Sequence, residues 1–210
     1  MVRTRIKFCG ITRSDDLAVA ADAGADAVGL VFYEASPRAV TREQAAALLR
    51  HKPAWVTAVG LFVNADAKEV QATLDAVPLE CLQFHGTESA EYCDQFDVPW
   101  MKAIAVAPDE NVAEKTAGYA TASAILLDTF KPGLPGGTGE HFDWSLIPDK
   151  LPVPLVLAGG LTPDDVEQAI RTVRPYAVDV SGGIESSPGC KSAEKMKRFA
   201  AAVRAADAGN

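Results

Sequence analysis

Residues 15–32 read DDLAVAADAGADAVGLVF, and in this stretch a helical pattern gives way to the pattern of a buried strand. Leu17, Ala20 and Ala21 share one helix face, at the i, i+3, i+4 spacing that packs against a sheet. The run that follows is almost continuously apolar, as in a parallel strand covered on both faces. Residues 164–180, DDVEQAIRTVRPYAVDV, repeat this order weakly. The stretch therefore predicts a unit of helix and parallel strand that recurs along the chain.

The same alternation continues from one end of the chain to the other. The predicted strands are residues 4–9, 27–32, 56–63, 80–84, 100–105, 124–128, 154–158 and 177–181. The predicted helices are residues 14–23, 41–50, 67–76, 89–96, 109–119, 162–173 and 192–206, with a short weak segment at 144–147. Side-chain acceptors for unpaired N–H groups mark three helix starts, at residues 14–16, at Thr41 with Gln44, and at residues 162–165.

Eight such units in 210 residues are compatible with a closed barrel, whose lower size limit is roughly 200 residues. The competing architecture is a doubly wound open sheet, but no GxGxxG motif follows the first strand, where Gly10 stands alone. No linker, charge block or low-complexity segment divides the chain. We therefore predict an α/β fold, a single (β/α)₈ TIM barrel with a parallel eight-stranded core, formed by one domain over residues 1–210.

Composition narrows the range of partners and compartments. The net charge of −8, with no basic cluster, argues against a nucleic-acid partner. No apolar run approaches the roughly 20 residues that span a bilayer, and the first residues show no apolar signal region, so we expect a cytoplasmic protein without a membrane partner. Its four cysteines are widely and irregularly spaced, which argues against a zinc site or a disulfide framework. The sequence leaves a monomer and a homodimer equally open.

In such a barrel the active site lies at the carboxyl ends of the strands, and glycines cluster there. Gly159 and Gly160 follow the seventh predicted strand, and Ser181, Gly182 and Gly183 follow the eighth. Glycine lets successive backbone N–H groups turn toward an anion, so these loops predict a phosphate site, although each could also be an ordinary tight turn. A third glycine group, at residues 136–139, could close over the same ligand as a flexible loop.

Reactive side chains end other strands. Asp128 ends an apolar strand, where partial burial would raise the pKa of its carboxyl group and suit it to general-acid work; alternatively it caps the following loop. Cys9 ends the first strand on the same side as Lys7, and a thiol there is more often inert packing than a catalytic group. Arg38 has the planar fork that holds a carboxylate, unless it is a solvated surface residue. His85 could bind substrate or only stabilise its turn.

Seven ordered motifs together resemble the phosphoribosylanthranilate isomerase family of tryptophan biosynthesis over essentially the full chain. They are residues 7–12 (KFCGIT), 36–38 (SPR), 83–86 (QFHG), 127–129 (LDT), 136–139 (GGTG) with 142–144 (FDW), 157–161 (LAGGL) and 179–185 (DVSGGIE). Gly182 stands where this family often has a second serine, so one hydroxyl contact to phosphate is missing. The related histidine-pathway isomerase has an aspartate where this chain has Cys9, which favours the tryptophan-pathway reaction without excluding a dual-substrate enzyme.

The resemblance implies an Amadori rearrangement of N-(5-phosphoribosyl)anthranilate to the 1-deoxyribulose product. It implies Asp128 as general acid, Cys9 as general base, Arg38 as the partner of the anthranilate carboxylate, and Asp179 as a contact near the ribose. The glycine loops would hold the phosphate, and the imine nitrogen of the substrate would serve as electron sink, so no cofactor is expected. Two alternatives remain: a Schiff-base aldolase that uses Lys102 or Lys7, and a barrel that binds a phosphorylated metabolite without converting it.

Overall fold

The computed structural model describes residues 3–108, 110–129 and 141–209 and contains a closed barrel of eight parallel strands. The strands are β1 (Arg5–Cys9), β2 (Ala27–Val31), β3 (Thr57–Phe62), β4 (Cys81–Phe84), β5 (Trp100–Val106), β6 (Ala124–Thr129), β7 (Leu155–Leu157) and β8 (Ala177–Val180). Each strand pairs with the next, and β8 returns to pair with β1. This closure confirms the predicted barrel and rules out the open sheet, because no strand of the barrel has a free edge.

In the described residues, seven α-helices connect or follow these strands. They are α1 (Ser14–Ala23), α2 (Arg42–Leu49), α3 (Ala67–Ala76), α4 (Ala90–Cys93), α5 (Val112–Ala117), α6 (Val166–Val173) and α7 (Ala193–Ala208). All seven lie where the sequence predicts them, although α4, α5 and α6 are shorter than predicted; residue 109, the predicted start of α5, lies outside the described residues. The weak segment at 144–147 forms only a 3₁₀ turn, Trp144–Leu146. None of the helices in the described part of the chain is long and apolar enough to cross a bilayer.

A short hairpin after β8 was not predicted. It consists of β9 (Glu185–Ser187) and β10 (Cys190–Lys191), which pair antiparallel. Strands of three and two residues are too short to show a period in the sequence. The hairpin lies beside the carboxyl end of β8, so it adds side chains to the active end of the barrel.

Helix starts agree with the predicted caps in part. Thr41 and Gln44 form a capping box, in which each side chain accepts a hydrogen bond from the other residue's backbone N–H. The cap predicted at residues 14–16 is wrong, because the residue before α1 is Arg13 and its side chain makes no capping bond. Asp16 is instead buried and accepts a hydrogen bond from the backbone N–H of Lys191, at 3.1 Å. Its carboxylate therefore anchors the hairpin.

Small apolar side chains fill the barrel interior below the site. The interior cluster comprises Ala103, Ala124, Leu126, Val156, Ala158 and Ala177. A larger apolar cluster fills the layer between the barrel and its helices. Since successive residues of a strand point to opposite faces, each strand contributes side chains to both layers. Polar side chains replace the alanines toward the carboxyl ends of β1, β4, β6 and β8, and that is where the cleft lies.

Candidate active site

Two adjoining pockets open at the carboxyl ends of the strands. The larger has a volume of about 400 Å³ and is lined chiefly by residues 158–161, 179–183 and 185–188. The smaller, of about 70 Å³, is lined by Cys9, Ser36, Gln83 and His85 and by the largely apolar set Val31, Tyr33, Leu61 and Val63. Arg38, Asp128, Asp179 and Ser181 line both pockets. The structure thus brings every predicted site residue that it describes into one cleft.

The glycine loops form the wall of the larger pocket. Gly159 and Gly160 have φ angles of +87° and +72°, in the left-handed region that favours glycine. A Cβ on Gly159 would lie 2.4 Å from Oγ1 of Thr129, and one on Gly183 would lie 2.0 Å from the carbonyl oxygen of Leu161. Glycine is therefore required for these backbones to approach one another, and the pocket they line can accept a phosphate. The third predicted glycine group, at 136–139, lies outside the described residues.

Asp128 reaches the cleft from the penultimate position of β6. Its Oδ1 accepts a hydrogen bond from the backbone N–H of Thr129 at 2.8 Å. Its Oδ2 faces Nε2 of His85 at 3.5 Å, a distance just beyond a normal hydrogen bond. Both side chains are largely buried, with exposed fractions of 10% and 12%. The carboxyl group is thus held in place on one oxygen, while the other faces the pocket.

Cys9 lies beside a buried ion pair. Lys7 donates to Oδ1 of Asp179 at 2.7 Å, and its ammonium group also contacts the Cys9 sulfur. Burial acts to lower the pKa of Lys7, but Asp179 and Cys9 outweigh burial and leave that pKa above its ordinary value. Burial raises the pKa of the Cys9 thiol, and Lys7 opposes this rise. Lys7 therefore pairs with an acidic neighbour and also favours the thiolate of Cys9.

Gly29 on β2 makes room for the thiol. A Cβ at this position would lie 2.7 Å from Sγ of Cys9 and 3.2 Å from Nζ of Lys7. Burial also raises the pKa of the other two buried cysteines, that of Cys81 to about 11 and that of Cys93 to about 12. The sequence did not point to Gly29, because its role depends on the register of β1 against β2.

Arg38 is anchored more firmly than a surface arginine. Its Nε and Nη2 donate to the two carboxylate oxygens of Glu185, at 2.8 and 2.7 Å. Lys191 also donates to Glu185, at 2.8 Å. Burial acts to raise the pKa of Glu185, but the hydrogen bonds from Arg38 and Lys191 outweigh it and leave that pKa below its ordinary value. The Arg38 guanidinium, which was predicted to hold a substrate carboxylate, thus binds Glu185 through Nε and Nη2. Its Nη1 remains as a donor for a ligand.

Glu185 and Lys191 were not among the predicted site residues. Glu185 closes the motif at 179–185, so its presence in that motif was the available signal. Lys191 has no comparable signal, because it reaches the site only through the unpredicted hairpin. Together the two residues connect Arg38 to the loop after β8, where Lys191 also donates to the backbone oxygen of Ser181 at 3.2 Å.

The lysines proposed for a Schiff-base mechanism are both engaged. The neighbours of Lys102 on β5, Met101 and Ala103, point into the barrel with the interior cluster. Because successive residues of a strand point to opposite faces, Lys102 points out of the barrel. It donates to Glu88 at 3.0 Å and lines neither pocket. The Lys7 ammonium is held in its ion pair with Asp179. Lys102 therefore does not reach the cleft, and Lys7 is held as an ammonium group, so neither is placed to attack a carbonyl there.

Comparisons with known proteins agree with one another. The family model described as PRAI, N-(5'phosphoribosyl)anthranilate (PRA) isomerase, matches residues 6–202. An N-(5'-phosphoribosyl)anthranilate isomerase of Stutzerimonas stutzeri (strain A1501) is 58% identical over 200 residues, which cover 95% of this chain and 97% of the relative. A crystal structure of phosphoribosyl anthranilate isomerase from Thermotoga maritima matches with a TM-score of 0.90 and 40% identity, over 96% of this chain and 99% of that one. Another solved structure, of such an isomerase in complex with reduced 1-(o-carboxyphenylamino)-1-deoxyribulose 5-phosphate, matches with a TM-score of 0.86 and 37% identity over the same shares.

Proposed function

Because this chain belongs to the N-(5'-phosphoribosyl)anthranilate isomerase family, we propose that the cleft is its active site, with Asp128 as general acid and Cys9 as general base. The chain is an isomerase of tryptophan biosynthesis and catalyses the Amadori rearrangement of N-(5-phosphoribosyl)anthranilate to 1-(2-carboxyphenylamino)-1-deoxyribulose 5-phosphate. One observation above all supports the residue assignment: Asp128 and Cys9 line the same small pocket, and Asp128 also lines the glycine pocket beside it.

The two pockets suit the two ends of this substrate. The larger pocket offers backbone N–H groups of the loops after β7 and β8 to the phosphate. The smaller pocket offers the side chains of Val31, Leu61 and Val63 to the aromatic ring. Nη1 of Arg38 is the donor for the ring's carboxylate, while Glu185 fixes the orientation of the guanidinium. The ribose then spans the boundary between the pockets, beside Asp128 and Asp179.

The first chemical step opens the ribose ring. Asp128 gives its proton to the ring oxygen, the bond between C1 and that oxygen breaks, and the lone pair of the anthranilate nitrogen forms an iminium bond to C1. Asp128 is left as a carboxylate. The backbone N–H of Thr129 already donates to one of its oxygens, and this hydrogen bond stabilises the charged form.

The second step moves a proton away from C2. The thiolate of Cys9 takes the C2 proton, and the electron pair of that C–H bond flows toward the iminium nitrogen, which gives an enolamine. C1 then gains a proton while the C2 hydroxyl loses its proton and becomes the ketone. Cys9 releases its proton to solvent and Asp128 takes one up, which restores both groups for the next turnover. Lys7 stabilises the thiolate that this step requires, and Asp179 holds Lys7 in place.

A direct assay tests the reaction and the assignment together. Freshly prepared phosphoribosylanthranilate is mixed with the protein, and the loss of its fluorescence is followed against spontaneous decay. We expect rapid loss with the wild type, and losses of kcat by orders of magnitude in Cys9→Ala and Asp128→Asn, with affinity for the reduced product analogue kept within about tenfold. Full activity in both variants would refute the acid–base assignment, and no turnover by the wild type would refute the function.

We also propose that the protein works in the cytoplasm on this small phosphorylated molecule, without a nucleic-acid partner and as a monomer or homodimer. The net charge of −8 supports the absence of nucleic acid. Sedimentation of the protein with and without duplex DNA at low salt should give a single mass of one or two chains in both cases. A DNA-dependent species would contradict this part of the proposal.

A further inference from the structure

Gln83 is a buried polar residue to which the mechanism above gives no role. It lies on β4, beside Leu61 of β3, and lines the smaller pocket together with Cys9 and Asp128. Its exposed fraction is only 1%. Its Nε2 lies 3.2 Å from Nδ1 of His85, and its Oε1 has no hydrogen-bond partner among the described residues. A buried amide with one end used and the other end empty is an incomplete hydrogen-bonding arrangement.

With the Gln83 amide oriented as in the structure, the contact with His85 selects one tautomer of that histidine. An amide nitrogen can only donate, so Nδ1 of His85 must accept, and a neutral imidazole then carries its proton on Nε2. That nitrogen faces Oδ2 of Asp128. An N–H of Gln83 is therefore directed at His85, and an N–H of His85 is directed at Asp128.

This direction matters for a carboxyl group that must give its proton to substrate. If Nε2 of His85 were bare, it would accept the Asp128 proton and compete with the ring oxygen of the ribose. With a proton on Nε2, His85 cannot accept, and it donates to the carboxylate that remains after the transfer. Such hydrogen bonds are often long without substrate and shorten in the complex, as the 3.5 Å separation allows.

We propose that Gln83 is a positioning residue that acts at both ends: its Nε2 holds His85 as the Nε2–H tautomer against Asp128, and its Oε1 accepts a hydrogen bond from an N–H or O–H of the bound substrate. The proposal rests on the proposed function of Asp128. Its second part follows from the empty, buried Oε1, which a donor of a ligand in the smaller pocket would satisfy.

The histidine tautomer can be observed directly, because the chain has only three histidines. In protein labelled with ¹⁵N-histidine, the ring nitrogen shifts distinguish the Nε2–H form, the Nδ1–H form and the imidazolium. We expect His85 to be the Nε2–H form near neutral pH, with His51 and His141 as internal references. An Nδ1–H or imidazolium form of His85 in the wild type would overturn the proposal, whatever the activity of the protein, so this readout fails independently of the proposed function.

Two variants separate the two ends of the amide. Gln83→Glu keeps an acceptor toward the ligand but removes the donor to Nδ1, so we expect imidazolium at His85, kcat reduced at least tenfold and KM within threefold. Gln83→Met removes both ends, so we expect a mixed tautomer population, a similar loss of kcat, and affinity for the reduced product analogue weakened about tenfold. Gln71→Met, on the exposed face of α3, is the matched control and should change none of these. If Gln83→Met keeps the wild-type tautomer and both constants within twofold, the proposal is wrong; if the variants do not fold, the wild-type spectrum still decides its first part.

Discussion

Replacement of Gly29 by alanine should disturb Cys9 without removing any chemical group. The new Cβ would lie 2.7 Å from Sγ of Cys9, where ordinary contacts lie at 3.4–4 Å, so the thiol must move by about 1 Å or the strands must part. Overpacking of this kind costs about 1–3 kcal/mol. For a chain of this length each kcal/mol lowers Tm by about 2–4 °C, which gives a fall of roughly 2–12 °C.

The effect on catalysis should exceed the effect on stability. A misplacement of about 1 Å in a catalytic group can reduce the rate by about 10²-fold, so kcat of Gly29→Ala should fall by about that factor in the fluorescence assay, measured at a temperature where the variant remains folded. Gly118→Ala is the matched control, because a Cβ there has no atom within 4 Å, and it should leave both Tm and kcat near wild type. If Gly29→Ala kept wild-type kcat, the position of the Cys9 thiol would not limit the reaction and its role as base would be refuted. If it also kept wild-type Tm, the tight packing around the thiol would be refuted.

Three further predictions concern the charged groups and the phosphate loop. Lys7→Met should lower the free energy of unfolding by about 3–5 kcal/mol. Because Lys7 opposes the rise of the Cys9 pKa, the same change should also shift to higher pH the increase of kcat/KM that accompanies deprotonation of Cys9. Lys102→Met, which removes a buried cation from the outer face of β5, should lower stability without moving that profile. Glu185 has a pKa below its ordinary 4.5 in the folded chain. Its contribution to the free energy of unfolding is therefore present above pH 4.5 and is lost as the pH falls through the lower folded value. The urea midpoints of Glu185→Gln and wild type should thus differ most near neutral pH and converge in acid. Gly159→Ala imposes a side chain on a φ of +87° and should raise KM about tenfold or more with a smaller change in kcat, whereas an unchanged KM would exclude this loop from phosphate binding.

The parts of the fold that were predictable are those with a local signal. The strands are continuous apolar runs because the barrel buries both of their faces, and this property is visible in a short window of sequence. Asp128 was accessible to the same reasoning, since a carboxylate at the end of an apolar strand is unusual. The cap expected at residues 14–16 failed because α1 already begins at Ser14, and Asp16 instead contacts Lys191, far along the chain.

The parts that were not predictable depend on closure of the barrel. Lys7 and Asp179 are 172 residues apart in sequence and become neighbours only because β1 pairs with β8. The environment of Cys9 depends on that same pair and on the register that places Gly29 beside it. Sequence reasoning could therefore identify Cys9 only through the resemblance to a family, while the groups that surround its thiol became visible only in the structure.

The pairing of β1 with β8 also sets the order in which activity can appear during synthesis. Lys7, the neighbour of the proposed base Cys9, is synthesised 172 residues before its counterion Asp179. A nascent chain that stops before β8 has two open sheet edges and a lysine at position 7 without its carboxylate. Turnover by the proposed base thus requires that β8 has docked against β1, and measured activity reports that the barrel has closed.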